Sequence, residues 1–314
     1  MGACYIRPRK VTSLATLILV SLLGASMFSS VWLGLVCAGL LASMPLVWAG
    51  AGTGAAMTPW LIAITWLLCI DRFRVSRHIA WLAGAGAVLG LGLYDRPSAM
   101  LVMPAYLALS LAALVAAAPA PNHRLPVRAI AALLLAFCAV TTPFAVFLIR
   151  HPEYFRDAIL ARGLYDARHY NLLQGSREVF TWVGLSARVE VYWDYFNPAF
   201  LFFSGGSLAK SLAHPQVFLL PFAVLLPAGI RRVFLDGPTA TWWLVMSGFL
   251  LAPLVGALTA GPPVPADFRP VVPFAALLGT GGLEHLLTAW RRSAVPSKYR
   301  GRGFAGWLPN RSRD

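Results

Sequence analysis

Apolar residues along this chain fall neither at every second position nor on a single helical stripe; they fill whole runs. Such runs occupy residues 11–28, 31–48, 55–70, 79–94, 98–117, 127–149, 215–230, 239–260 and 270–290. Each approaches the roughly 20 residues that a helix needs to cross about 30 Å of hydrocarbon. Turn-formers and charges separate them: Ser29-Ser30, residues 71–78, Arg96-Pro97, and residues 121–126, 231–238 and 261–265. In lipid a backbone has no water to bond with, so an apolar run of this length must satisfy itself as a helix. The pattern therefore predicts an all-α, polytopic transmembrane bundle of about nine helices, with one large extracytoplasmic loop bearing a surface helix. Three parts are expected: a transmembrane domain over 1–290, its external loop at 150–214, and a basic cytoplasmic tail at 291–314.

Composition agrees. The chain is 58% hydrophobic and 12% charged, against about 25% charged residues in a soluble domain, and this excludes water as its main solvent. A net charge of +14, from 26 basic and 12 acidic residues, would suggest nucleic acid in a soluble protein. Here the arginines sit in short gaps between apolar runs, and no basic stripe with interleaved aromatics exists to follow a nucleic-acid backbone. The charge instead encodes topology. On one side lie Arg72, Arg74, Arg77, Arg124, Arg128, Arg231, Arg232 and the tail from Arg291, while the short loops of the other side hold Arg96 and Arg269. The basic side is expected in the cytoplasm, with the C-terminus, in a plasma or inner membrane. Arg7, Arg9 and Lys10 then fall on the external side, against the rule, and two readings are open: a further helix is expected upstream, or the first run is a short hairpin that does not span.

Soluble-enzyme signatures do not occur: there is no GxxxxGK[ST], HExxH or GxSxG. Gly84, Gly86, Gly90 and Gly92 lie inside an apolar run and are expected to let helices approach. The cysteines, Cys4, Cys37, Cys69 and Cys138, form no metal or disulfide pattern. Glu284 and His285, near the inner end of the last run, are expected to be solvated at the interface.

Ionisable groups at the other edge of the hydrocarbon are costly unless paired or used. Asp95 and Arg96 stand there, and two readings remain open: a polar site, or headgroup-solvated interfacial charges. Asp267 and Arg269 mark the outer mouth of the last helix. Within the large loop, residues 151–170 mix apolar and charged positions at near-helical spacing and suit a surface helix, while 191–206 concentrate aromatics.

Four segments carry a family resemblance. They are Gly90-Leu-Gly-Leu-Tyr94 followed by Pro104; His151-Pro-Glu-Tyr-Phe155-Arg156; Tyr192-Trp-Asp-Tyr195-Phe196-Asn-Pro198-Ala-Phe200-Leu-Phe202 with Gly205 and then Val217-Phe-Leu-Leu-Pro221; and Arg269 with Pro273. In order and spacing they resemble the integral-membrane C-type glycosyltransferases that use polyprenyl-phosphate sugars: family 39, with its protein O-mannosyltransferase and aminoarabinose-transferase relatives. The resemblance implies transfer of a sugar from a polyprenyl-phosphate donor to an extracytoplasmic acceptor, whether protein, lipid or glycan, among membrane lipid and without a dedicated cofactor. It implies substrate contacts at Tyr94, Arg96, Arg156, Tyr192, Tyr195, Lys210 and Arg269. The family's catalytic carboxylate precedes the first helix of this chain's pattern, which leaves Asp95 as the substitute. Further departures are Ala209-Lys210-Ser211 for the family's R-H-S, Gly50 for an arginine and Ala266 for a histidine. These departures keep two alternatives open: a non-catalytic polyprenyl-lipid binder or carrier on the same scaffold, and a membrane transporter.

Overall fold

The computed structural model describes residues 8–49, 58–95, 99–116, 124–154, 157, 160, 172–203, 217–235, 239–258 and 268–294. All regular structure among them is helical. In chain order the helices are α1 Pro8–Phe28, α2 Val31–Ser43, α3 Pro45–Ala49, α4 Thr58–Ser76, α5 Ile79–Gly92, α6 Ala99–Ala116, α7 Arg124–Arg150, α8 Leu172–Val179, α9 Trp182–Asp194, α10 Pro198–Phe202, α11 Phe222–Leu235, α12 Ala240–Leu251, α13 Leu254–Leu258 and α14 Val271–Ala294. Four stretches, Ala99–Ala116, Val127–Arg150, Ala240–Leu258 and Val271–Ser293, are long and apolar enough to cross a membrane, and Leu14–Phe28, Val31–Ser43 and Ile79–Gly92 are shorter apolar helices. The protein is a membrane-embedded, all-α helical bundle.

Two of the expected runs are interrupted. The run 31–48 breaks at Met44, held in extended conformation with φ −69° and ψ 125°. Pro45 accounts for this, because its ring disfavours the α conformation in the residue before it and its fixed φ suits the start of a new helix. The run 239–260 divides at Ala252-Pro253 without such a turn: Ala252 keeps helical angles, φ −54° and ψ −42°, and its amide still bonds the carbonyl of Gly248. Prolines 104, 143 and 227 sit within α6, α7 and α11 without ending them, as neighbouring helices permit in lipid.

α14 is the axis of the bundle. Its first half, from Val271 to Gly282, is buried all round, packed by α2, α4, α11 and α12. α7 is the opposite case: Leu135, Val146, Phe147 and Ile149 are exposed, and it is held chiefly by α5. Since lipid tails are as apolar as leucine, close packing rather than hydrophobicity must hold such helices together. Glycines supply the closeness. A Cβ at Gly229 of α11 would collide with the carbonyl of Leu278 on α14, and one at Gly282 with the carbonyl of Leu225, so the two helices touch backbone to backbone twice. Gly86 and Gly90 do the same for α5 against Leu133 and Phe137 of α7. The glycine run of α5 is a packing surface.

The helix directions follow from the contacts. Ser26 of α1 donates to Asp71 of α4, Phe28 packs edge-on to Trp242 at the start of α12, and Arg232 of α11 pairs with Glu284 of α14. These join one end of the bundle, the arginine end, which also carries Arg72, Arg74, Arg77, Arg231, Arg291 and Arg292. Glu284 is thus not simply solvated as the sequence suggested. The glycine contacts of α11 and α14 bring Arg232 onto it, and the guanidinium also lies 5.4 Å from the ring centre of Phe28 and 5.8 Å from that of Trp242. Asp71, fully buried, accepts a second bond from Arg74 at 3.2 Å.

The expected surface helix at 151–170 lies mostly outside the described residues. The long loop instead shows α8, α9 and α10. Thr181 caps α9 by accepting from the amide of Gly184 at 3.2 Å, and Asn197 caps α10 by accepting from that of Ala199 at 3.0 Å.

Candidate functional site at the end opposite the arginines

Five of the sequence-predicted site residues, Tyr94, Asp95, Tyr192, Tyr195 and Arg269, lie on one end of the bundle. The α4–α5 hairpin reverses at Arg77-His78, with Arg77 at φ 58°. Helical rise then brings Asp95 level with Trp60. Trp60 donates its indole N–H to the carbonyl of Arg269 at 2.8 Å, fixing the turn that opens α14 to the start of α4. Asp95 and Arg269, 174 residues apart by subtraction of their numbers, therefore share an end, and both are partly buried. Tyr94, beside Asp95, donates to the carbonyl of Val140 on α7 at 2.8 Å. Its ring starts an aromatic ladder through Phe144 and Phe147 to His151 and Tyr154. The imidazole Nδ1 of His151 lies 3.0 Å from Glu153 Oε1, and the Glu153 carboxyl is held below its usual range, first by its own backbone amide and then by His151.

A second aromatic group covers the Arg269 turn. Phe268 is completely buried and packs against Tyr195, Phe196, Phe200 and Phe218, with ring centres 5.4–6.3 Å apart. Tyr195 is 1% exposed. Its ring lies in this core, stacked on Phe268, and not at a surface. Tyr192 is half-buried and donates to the carbonyl of Leu250 at 2.9 Å, at the end of α12. Burial pushes its phenol up from the usual value.

Arg96, Arg156 and Lys210 lie outside the described residues, as does Asp267. Among the described residues no group of His, Cys, Asp and Glu is arranged to hold a metal ion. Sequence reading passed over three residues that shape this end. Trp60 ties α4 to Arg269. Phe268 centres the aromatic cluster. Arg188 of α9 donates through Nε to the carbonyl of Leu258 at 3.0 Å and through Nη1 to that of Gly184 at 2.8 Å. Phe268 alone carried a signal, as the aromatic neighbour of a singled-out arginine. Compared with protein-family models, with curated proteins and with solved structures, the chain matches none.

Proposed function

We propose that this chain is a membrane glycosyltransferase-like protein that takes the head group of a polyprenyl-phosphate sugar at the Asp95–Arg269 end of the bundle. The observation that supports the reading is that four resembling segments distant in sequence pack in two pairs toward this end. Tyr94 stands beside Asp95, the loop opening at His151 sits at the foot of the ladder from Tyr94, and the segment from Tyr192 to Phe202 seats on Phe268 next to Arg269. A lipid-phosphate donor carries its charge at the interface and its chain among helices, so it needs basic groups and a carboxylate at one rim of a bundle. Arg269, with Arg96 and Lys210, would hold the phosphate, since charge-assisted bonds strengthen where water is excluded. Asp95 would take the proton of the acceptor hydroxyl as its oxygen bonds to the sugar's anomeric carbon and the bond from that carbon to the phosphate oxygen breaks. The polyprenyl phosphate then leaves with the electron pair. Tyr94 and Tyr192 would contact the substrate, as the resemblance also implies for Arg156.

The positive-inside rule favours a cytoplasmic arginine end, and the site would then lie at the outer face. The test uses the full chain in nanodiscs, with a radiolabelled polyprenyl-phosphate sugar and hydroxyl acceptors. Transfer that falls about 10²- to 10⁴-fold in Asp95→Asn, with donor binding kept, supports the reading. Donor binding without transfer in the unaltered chain assigns it to the lipid-carrier alternative. Neither binding nor transfer contradicts both.

A further inference from the structure

Helix α9 is amphipathic in a direction a soluble loop would not choose. One face holds it to the bundle: Arg188 bonds the carbonyl of Leu258, Tyr192 bonds that of Leu250, and Tyr195, just past its end, enters the core. The exposed face carries Trp182, Val189 and Trp193 at i, i+7 and i+11, with Leu185 on its edge toward Tyr192, so they form one stripe. The two tryptophans that bound it are 83% and 63% exposed. Phe180 extends the stripe past the helix start and is 76% exposed. Beside it lie the exposed carboxylates Glu190 and Asp194, four residues apart on the flank.

What covers this stripe is indicated by its neighbour. The bonds to Leu250 and Leu258 lay α9 against α12 and α13, within the membrane-crossing stretch Ala240–Leu258. That stretch has its own exposed apolar residues in Trp243, Leu250 and Leu254. The outer face of α9 thus continues the lipid-facing surface of a helix that crosses the bilayer. Tryptophans at both ends suit the headgroup–acyl boundary, where an amphipathic ring meets both phases.

We propose that α9 is an interfacial helix whose Trp182–Leu185–Val189–Trp193 stripe is immersed in lipid at the headgroup–acyl boundary. The acidic flank makes the anchorage apolar rather than electrostatic, so it needs no anionic lipid. Because Tyr195 and Phe196 follow α9 directly and pack on Phe268, the lipid surface fixes the height of the aromatic cap above the Arg269 turn. The inference stands whether or not a sugar is transferred.

The test is nitroxide scanning of the full chain in phosphatidylcholine nanodiscs, with the four native cysteines changed to alanine and single labels at 185, 189, 190 and 194. The proposal expects oxygen to relax the labels at 185 and 189 and a water-soluble nickel chelate to relax those at 190 and 194, unchanged when phosphatidylglycerol is added. Nickel access at 185 and 189 equal to that at 190 and 194 would show a water-facing stripe and overturn it. Protection of 185 and 189 from both reagents would show a protein cover and overturn it equally. A second readout leaves the cysteines in place: lipid brominated high on the acyl chain should quench less of the tryptophan fluorescence in Trp182→Phe and in Trp193→Phe than in the unaltered chain. Equal quenching in all three contradicts the proposal.

Discussion

At the scale of the residue, this chain treats its polar side chains in two ways. Some are satisfied locally, as Thr181 and Asn197 are at their helix starts. Others reach across the bundle, and these matter most, because an unmade bond in lipid is costly. Tyr192 is one. Its raised phenol titrates above the usual value of about 10, so its contribution to stability is complete below that pH and is lost as pH rises through the raised folded-state value. An ultraviolet titration of the unaltered chain minus Tyr192→Phe should show a single phenol ionising late; a midpoint at or below the ordinary value would contradict the burial. Arg232 and Glu284 form the other long-range case, 52 residues apart. Removing Arg232 should cost about 1.5–3 kcal/mol, as for a hydrogen bond to a charged group. The Arg232→Ala, Glu284→Gln double variant should cost less than the sum of the single changes. Additive losses in thermal denaturation would mean the two groups do not act as a pair.

At the scale of the element, much was legible in the sequence. Apolar runs and their polar gaps located most bundle helices to within a few residues, since lipid leaves an apolar backbone no alternative to the helix, but the run 215–230 is displaced from Phe222–Leu235 and the run 55–70 stops short of Ser76. Pro45 and Pro253 were visible as residues, but that Met44 turns extended before the one while Ala252 stays helical before the other was not. The glycines of α5 were read correctly as a packing face. Those of α11 and α14, Gly229 and Gly282, were not singled out, because a mutual contact between helices so far apart in the chain leaves no local pattern. Their geometry makes a sharp comparison. Gly282→Val must push α14 off Leu225 and should cost about 1–3 kcal/mol by overpacking. Gly39→Ala on α2 meets open space and should be neutral or slightly stabilising. Equal thermal midpoints for the two variants would remove the close approach of α11 and α14 from the account.

At the scale of the whole molecule, the bundle separates its charge. The arginine end ties α1, α4, α11, α12 and α14 together through Asp71, Arg232 and Glu284, while the opposite end gathers Asp95, Arg269 and the aromatic groups. The sequence marked Asp95 and Arg269 separately as charges at a hydrocarbon edge; the tie of Arg269 to the start of α4 through Trp60, which sets both at one end, was beyond it, because an indole inside an apolar run looks like any interfacial aromatic. Tyr195 was marked by its motif as a contact, yet its burial depends on Phe268, which arrives from 73 residues further on. The proposed orientation is tested by reporter fusions after Val75, Leu125 and Phe234. All three should report the cytoplasm, and an external signal at two of them would reverse the molecule.

The central claim is that the end opposite the arginines binds a lipid phosphate through Arg269. It is tested most directly by the affinity of the full chain in nanodiscs for a short-chain polyprenyl phosphate, compared with Arg269→Ala and with Arg231→Ala, an exposed residue of the other end. Loss of one charged hydrogen bond predicts binding weaker by about 1.5–3 kcal/mol in Arg269→Ala, roughly a 10- to 150-fold rise in Kd, and no change in Arg231→Ala. Binding that is absent from the unaltered chain, or equal in all three proteins, would contradict the account.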